Sequence, residues 1–293
     1  TGGYNVALGP TAMSLNTTGL YNVAVGYLAN ADNVDKNYNV AVGYHALGNN
    51  LAHNNTAVGF QCLEDNTSGT ENTATGVNAA YDITTGSYNS AFGSSCLSAL
   101  TTGSHNVALG RAANQISTTG SFNIMLGPLA RPSAADGNSE TVVGYNVVGQ
   151  GNSTFTLGGG TSDSSISWGA TTWTAPSDIR LKEDIKDEEI GLEFVNELRP
   201  VTYQWRKAKD VSSEMEDYDP NSEERVMNGK HNHGFIAQEV KEVIDRYNFK
   251  DGFDLWSESG KDKRQRIGES ALIPIIVKAI QELSLEVKKL KGE

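Results

Sequence analysis

Few side chains in this 293-residue sequence have the type and spacing to carry chemistry. Cys62 and Cys96 each stand three residues after a recurring glycine, in a column otherwise filled by alanine, and read as small buried fillers with free thiols. They fall two repeats apart, roughly 10 Å, beyond the ~7 Å Cα limit of a disulfide. The same repeats carry asparagine where a calcium-binding solenoid carries aspartate, so no metal is expected, and no cofactor either. Positions 1–176 are too poor in acidic residues to single out a glycosidase pair. Trp168 and Trp173 fit a sugar-stacking surface or, the stronger reading, buried anchors on an oligomer axis. What remains is the segment SDIRLKEDI, beginning at Ser177, and His233 in HGFIAQEV. Taken alone, Ser-Asp ahead of a helix reads as an N-cap.

The elements that hold these residues follow from a shift in composition. The first 176 residues contain only three basic side chains (Lys36, Arg111, Arg131) and nine acidic ones, in a Gly/Asn/Thr/Ser/Ala-rich background. Beyond them the chain is rich in ions and in helix formers, which marks a domain boundary at Pro176/Ser177. The formal charge of −12 and a pI near 4.9 argue against nucleic acid or anionic lipid as partners, since both need a cationic face. The longest apolar run, Ala271 to Val277, is too short to span a membrane. The first residue is Thr and nothing there reads as a signal peptide, so the chain is expected to be a piece of something longer.

Asn-x-Ala-x-Gly recurs through residues 1–149: NVALG, NVAVG, NVAVG, NTAVG, NTATG, NSAFG, NVALG, NIMLG and a degenerate ETVVG. Its glycines stand at 9, 26, 43, 59, 76, 93, 110, 127 and 144, a spacing of 17 with a single 16. Each copy is one short strand closed by glycine, too small to bury its apolar groups alone. Stacked copies form ladders, which predicts a β-solenoid of nine rungs, about 40 Å long at ~4.8 Å per rung, with a stacked asparagine column. Its apolar content per rung is thin, so lateral association is expected. These repeats resemble the head repeats of YadA-like trimeric adhesins, which implies a left-handed β-roll with three chains side by side. The period of 17 departs from the shorter family repeat. Residues 150–176 break the period and read as a Gly/Ser/Thr-rich β connector, with interwoven strands from three chains as one form it could take.

In residues 177–293 the pattern becomes α/β. Residues 186–198 place Ile190, Phe194, Val195 and Leu198 at helical spacing; RPVTYQW alternates Val201, Tyr203 and Trp205 as a strand. Positions 207–231 read as a polar surface loop, and HGFIAQEV as a strand running into a helix. Ile273, Ile276, Ile280, Leu283, Val287 and Leu290 step by 3, 4, 3, 4, 3 along a helix expected over 269–291. That is either one helix docked on its own domain or, better supported, an oligomeric seam; isoleucine at both early seam positions leans toward a trimer.

Four motifs occur in order: SDIRLKEDI, LRPVTYQW, HGFIAQEV and ALIPIIVKAIQEL. Together they resemble the C-terminal intramolecular chaperone domain of endosialidases and phage tail spikes and fibres, a self-cleaving peptidase family. The resemblance implies a single-turnover serine endopeptidase that cuts the Pro176–Ser177 bond, with Ser177 as nucleophile and Lys182 as base. Ser177 Oγ can reach the Pro176 carbonyl carbon through a five-membered ring. An amine is a base only when neutral, so Lys182 must be desolvated or set near positive charge; Arg180 either assists or pairs with a nearby acid. His233 is the candidate oxyanion donor or orienting group, with a structural histidine an equal alternative. Gln238 and Glu239 match the family motif and receive no role.

The resulting expectation is a homotrimeric fibre or spike of a virion, able to meet a host surface receptor, whose chaperone trimerises, guides folding and is then released. The alternative is a bacterial trimeric surface adhesin with a non-cleaving trimerisation domain. A membrane-tethered transcription factor is disfavoured by the acidic charge and the lack of a basic segment.

Overall fold

The computed structural model describes residues 2–160, 162–247, 254–259 and 262–292. The chain divides into two compact units, Thr1–Leu181 and Lys182–Glu293.

In the first unit each Asn-x-Ala-x-Gly copy forms a strand: β1 (Val6–Leu8), β2 (Val23–Val25), β3 (Val40–Val42), β4 (Thr56–Val58), β5 (Thr73–Thr75), β6 (Ser90–Phe92), β7 (Val107–Leu109), β8 (Ile124–Leu126) and β9 (Thr141–Tyr145). Neighbours pair in parallel with repeat positions aligned, as in Ala24↔Ala41 and Ala91↔Ala108, and the 16-residue step keeps that alignment at Ala41↔Ala57. Strand residues alternate between faces. The central alanine is fully buried in β2 to β7, and Met125 and Val142 continue its column. A second buried column runs through Ala29, Ala46, Cys62, Ala79, Cys96, Ala113, Ala130 and Val147. This is the β-solenoid that the spacing of 17 predicts.

The asparagine column is buried and doubly used. Asn72 Oδ1 accepts the backbone N–H of Asn89 at 3.0 Å, while Asn72 Nδ2 donates to the Gly86 carbonyl at 2.8 Å. The same pair of bonds recurs at Asn89 and Asn106. Each side chain therefore ties one rung to the next and closes its own outer turn. Asn72→Ala leaves a buried N–H and a buried carbonyl without partners, an expected cost of about 3–5 kcal/mol. Asn5→Ala, at the half-buried end of the column, is expected to cost less than half of that. Thermal melting of the two variants checks the ratio.

A second ladder lies two residues before the asparagine column. The backbone N–H groups of Leu20, Asn37, Thr70, Ser87, Ser104, Ser121 and Asn138 donate to side chains of the following rung: Asn37, His53, Ser87, Ser104, Ser121, Asn138 and Asn152. At the ninth copy Glu140 replaces asparagine and is fully buried, its carboxylate accepting the N–H and hydroxyl of Ser133.

Beyond the ninth copy the sheet continues. β10 (Thr154–Gly159) pairs in parallel with β9, Gly158 opposite Gly144, and forms a tenth rung after a step of 14. β11 (Ser162–Ser167) folds back antiparallel on β10. The connector is thus partly solenoid and partly a hairpin. Trp173 packs edge-on against Phe155 at 5.5 Å, and Trp168 and Trp173 are both exposed in the single chain.

Cys62 and Cys96 are free and buried, and burial pushes both thiols up to about 12. Only the thiolate reacts, so at pH 8 modification of the native protein is expected to be ~10³-fold slower than of an exposed cysteine. Both are expected to label fully once the solenoid is unfolded, which mass spectrometry reads directly.

In the second unit, α1 (Leu192–Glu197) is shorter than the helix expected over 186–198. Glu188 turns back to accept the Ile190 N–H, and Glu282 accepts the Leu192 N–H, which starts the helix there. β12 (Val201–Tyr203) pairs antiparallel with β13 (Asn232–Gly234); the strand stops before Trp205, whose ring packs edge-on against Tyr203. The intervening polar segment is pinned at its base, with Lys207 and Lys209 both on Glu223, whose carboxyl they hold down at about 2. α2 (Ala237–Tyr247), the hairpin of β14 (Trp256–Ser259) and β15 (Arg264–Ile267), a 3-10 turn (Glu269–Ala271) and α3 (Leu272–Lys291) complete the unit. Its core joins Phe194, Val240, Val243, Ile244, Leu255, Leu272 and Ile275.

Candidate functional site

The link from solenoid to second unit is irregular and exposed. After the Ser165↔Thr174 bridge, Ala175, Pro176 and Ser177 run without regular structure and open to solvent. Asp178 then takes hold of the chain. Its carboxylate accepts the Arg180 N–H at 2.8 Å and binds the guanidinium through Nε at 3.0 Å and the terminal nitrogen at 2.6 Å. That starts a 3-10 turn, Ile179–Leu181, directly after Ser177. The side-chain acceptor that opens this turn is Asp178, one residue past the serine that the N-cap reading favours.

Arg180 is thereby assigned. Of its two expected roles it takes the ion pair: bonding to Arg180 lowers the Asp178 carboxyl, and the Arg180 guanidinium is raised in return. Lys182 follows the turn and is exposed, as are Ile179, Leu181 and Ile185. Ser177 belongs to the first compact unit and Lys182 to the second.

His233 lies at the centre of β13, opposite Thr202 of β12. It opens onto a cleft of about 610 Å³ in the second unit, walled by Pro200–Thr202, His233–Phe235, Glu269, Leu272 and Ile276. Three of the four motifs meet there: LRPVTYQW and HGFIAQEV through the strand pair, ALIPIIVKAIQEL through α3. Glu269 is a cleft residue that the sequence analysis missed. A methyl group added at Gly234 would lie 3.5 Å from Glu269 Oε1, so the carboxylate stands beside the residue that follows His233. Glu269 is far from His233 in sequence, and its only local signal is an acid ahead of a helix.

Glu239 proves to be a strut. Arg199 donates to its carboxylate through Nε at 2.9 Å and through a second nitrogen, joining α2 to the residue that precedes Pro200. The pair lowers the Glu239 carboxyl, Arg199 being the cause.

α3 has two apolar faces. Leu272, Ile275 and Ala279 are buried in the core of their own unit. Ile273, Ile276, Ile280, Leu283, Val287 and Leu290 are 40–88% exposed. The two readings of this helix are therefore compatible: one stripe docks at home and the seam is left outside. Among the described residues no helix is long and apolar enough to cross a membrane, and no group of three His, Cys, Asp or Glu side chains is arranged to hold a metal ion.

A β-solenoid fibre segment followed by a small α/β domain with an uncovered helical seam defines the class of protein. Residues 177–249 match the family model described as chaperone of endosialidase, a family whose members are self-cleaving peptidases. The match begins at Ser177, takes in the first three motifs and ends before β14. No curated protein and no solved structure matches the chain.

Proposed function

We propose that this chain is part of a homotrimeric tail fibre or spike of a virion, and that residues 177–293 trimerise, align the three solenoids and then separate by cutting Pro176–Ser177. The observation that carries this reading is the start of the chaperone match, at a serine in an exposed link without regular structure just past the last rung of a solenoid. Parallel rungs bring together residues distant in sequence, so three such chains assemble slowly and slip easily. Trimerisation first, through Ile273, Ile276, Ile280, Leu283, Val287 and Leu290, raises their local concentration. The outward strand residues offer a matching lateral surface: Phe92, Leu109 and Ile124 are exposed beside the buried Ala91, Ala108 and Met125, and Val6 and Leu8 are exposed on the first rung.

The chemistry follows from the link. Ser177 Oγ attacks the Pro176 carbonyl carbon and gives its proton to the Lys182 amine. The tetrahedral oxyanion is met by a donor, for which His233 is the candidate. The C–N bond breaks as the Ser177 nitrogen takes up the proton, leaving an ester that one water hydrolyses. The products are a Pro176 carboxylate and a Ser177 amine, once per chain. Host-surface attachment falls to the solenoid.

Intact mass and light scattering on the purified full chain test this. Two fragments dividing after residue 176, with the solenoid fragment trimeric, are expected. A single full-length trimeric species would leave the non-cleaving surface adhesin, and a monomer would remove both.

A further inference from the structure

One outward column of the solenoid is built against backbone preference. The residue before each repeat asparagine has φ near +60°, as at Tyr4, Tyr21, Tyr38, Asn54, Glu71, Tyr88, His105 and Phe122. Asparagine or glycine suits that conformation best, yet six of these eight positions carry aromatic rings. The rings are not chosen for the backbone, and most lie open to solvent. They stack in two runs. Tyr4, Tyr21 and Tyr38 lie 5.0 and 5.3 Å apart and parallel to within 5°; Tyr88, His105 and Phe122 lie 4.8 and 4.9 Å apart, within 7°.

Between the runs sit Asn54 and Glu71. The same two rungs turn polar on the outward strand positions, with Thr56, Thr73 and Thr75 where rungs two and three have valine. The outer surface is therefore banded around rung five: Ser90 carries the polar stretch into rung six at the first strand position, while Val58 of rung four stays aliphatic, and apolar rungs lie on either side.

We propose that this polar belt is the register key of the assembled fibre, and that its partner is the identical belt of a second copy of the chain. The inference rests on the trimer reading above. A uniform ladder of identical rungs can slip by one rung at little cost, because each rung meets a neighbour like its own. The belt removes that freedom. In register, Asn54 and the three threonines face their own kind in one hydrated band, which leaves the exposed Glu71 carboxylates in water. Slipped by a rung, Thr75 meets Val58 or Phe92 and one copy's Glu71 meets Tyr88, and these groups lose water without gaining partners. The belt is nearly central and cannot set polarity; that falls to the single α3 seam at one end of each chain. The seam belongs to a different unit from the rungs, and two residues of irregular link reach up to ~7 Å, more than one ~4.8 Å rung, so the seam alone does not fix the rung. The seam is the coarse alignment and the belt the fine one.

Disulfide trapping in the full chain tests this. Both native cysteines are replaced by alanine, the residue their column otherwise carries, and chains with Val23→Cys and Val40→Cys are co-expressed and oxidised. With the native belt, pairs between identical positions are expected. A Val23→Cys chain joined to a Val40→Cys chain reports a one-rung slip. Replacing the belt by the residues of rungs two and three (Asn54→Tyr, Thr56→Val, Glu71→Tyr, Thr73→Val, Thr75→Val) is expected to raise that mixed product at least ~10-fold. Thr56→Val with Thr73→Val alone gives a smaller rise, and serves if the fivefold variant does not fold. Trimers whose mixed product stays at the native level with the belt removed would overturn the key while leaving the trimer reading intact. A native chain that is monomeric and forms no such pairs would overturn both.

Discussion

A chain carrying Ser177→Ala is expected to remain a single polypeptide of 31.4 kDa, whereas the native chain is expected to divide in two. The hydroxyl is the only group held in five-membered-ring reach of the Pro176 carbonyl by the covalent chain itself, so no substitute nucleophile inherits its proximity. Removing such a group costs roughly 10⁴-fold or more in rate, which on the scale of an expression experiment means no product. Lys182→Ala removes the proposed base and is expected to slow cutting to a similar degree. Lys182→Arg should not restore it, because a guanidinium stays protonated at any accessible pH. Asp178→Ala supplies the contrast. It deletes the carboxylate that opens the 3-10 turn and binds Arg180, but no reacting atom, so slower yet measurable cleavage is expected. His233→Ala separates the two readings of that histidine: an oxyanion donor lost from the cleft slows cutting ~10²–10³-fold with the trimer intact, whereas a structural histidine changes stability instead. Light scattering on every variant ensures that lost cleavage is not lost assembly.

The solenoid was legible because its signal is periodic: an asparagine, an alanine and a glycine at fixed offsets are each required by one geometric feature of every rung. The second ladder was not, since serine, asparagine and histidine share only a hydrogen-bond acceptor there, and no one residue type holds the column along the rod. β10 was missed for a related reason. Thr154 stands in the asparagine column and the step is 14, so register is kept by the pairing of Gly158 with Gly144 and not by the period. In the second unit apolar spacing located α2 and α3 well, but it extended α1 too far. The start of that helix depends on Glu282, a carboxylate on another helix that accepts the Leu192 N–H. Of the candidate site, Ser177 and Lys182 rest on motif resemblance, because an exposed serine and lysine carry no pattern of their own. Glu269 and the Arg199–Glu239 strut needed the fold, which alone brings such separated residues together.

The largest stability effect is expected at Gly93. Its φ of +135° lies in a region that residues with a Cβ rarely adopt, and an added methyl would stand 2.5 Å from the Gly110 carbonyl oxygen and 2.7 Å from its carbon. Both are backbone atoms of the next rung. That rung cannot retreat, because β6 and β7 are bonded in register on one side of the contact and the Gly93 N–H donates to the Thr75 carbonyl at 2.9 Å on the other. Strain and overlap therefore add, and Gly93→Ala is expected to cost about 4 kcal/mol or more, a large part of the stability of an ordinary domain. Two further glycines separate the contributions. Gly151 has φ of +122° with nothing within 4 Å of an added methyl, so Gly151→Ala carries strain alone, about 1–3 kcal/mol. Gly229 has neither a left-handed φ nor a neighbour within 4 Å, and its alanine variant is expected to be near neutral. Melting temperatures should fall in that order. The core around Phe194 contains no solenoid residue, so the second unit of the Gly93→Ala chain should still fold. Were the three variants to melt together, the column of glycines would be a preference of sequence and not a requirement of stacking.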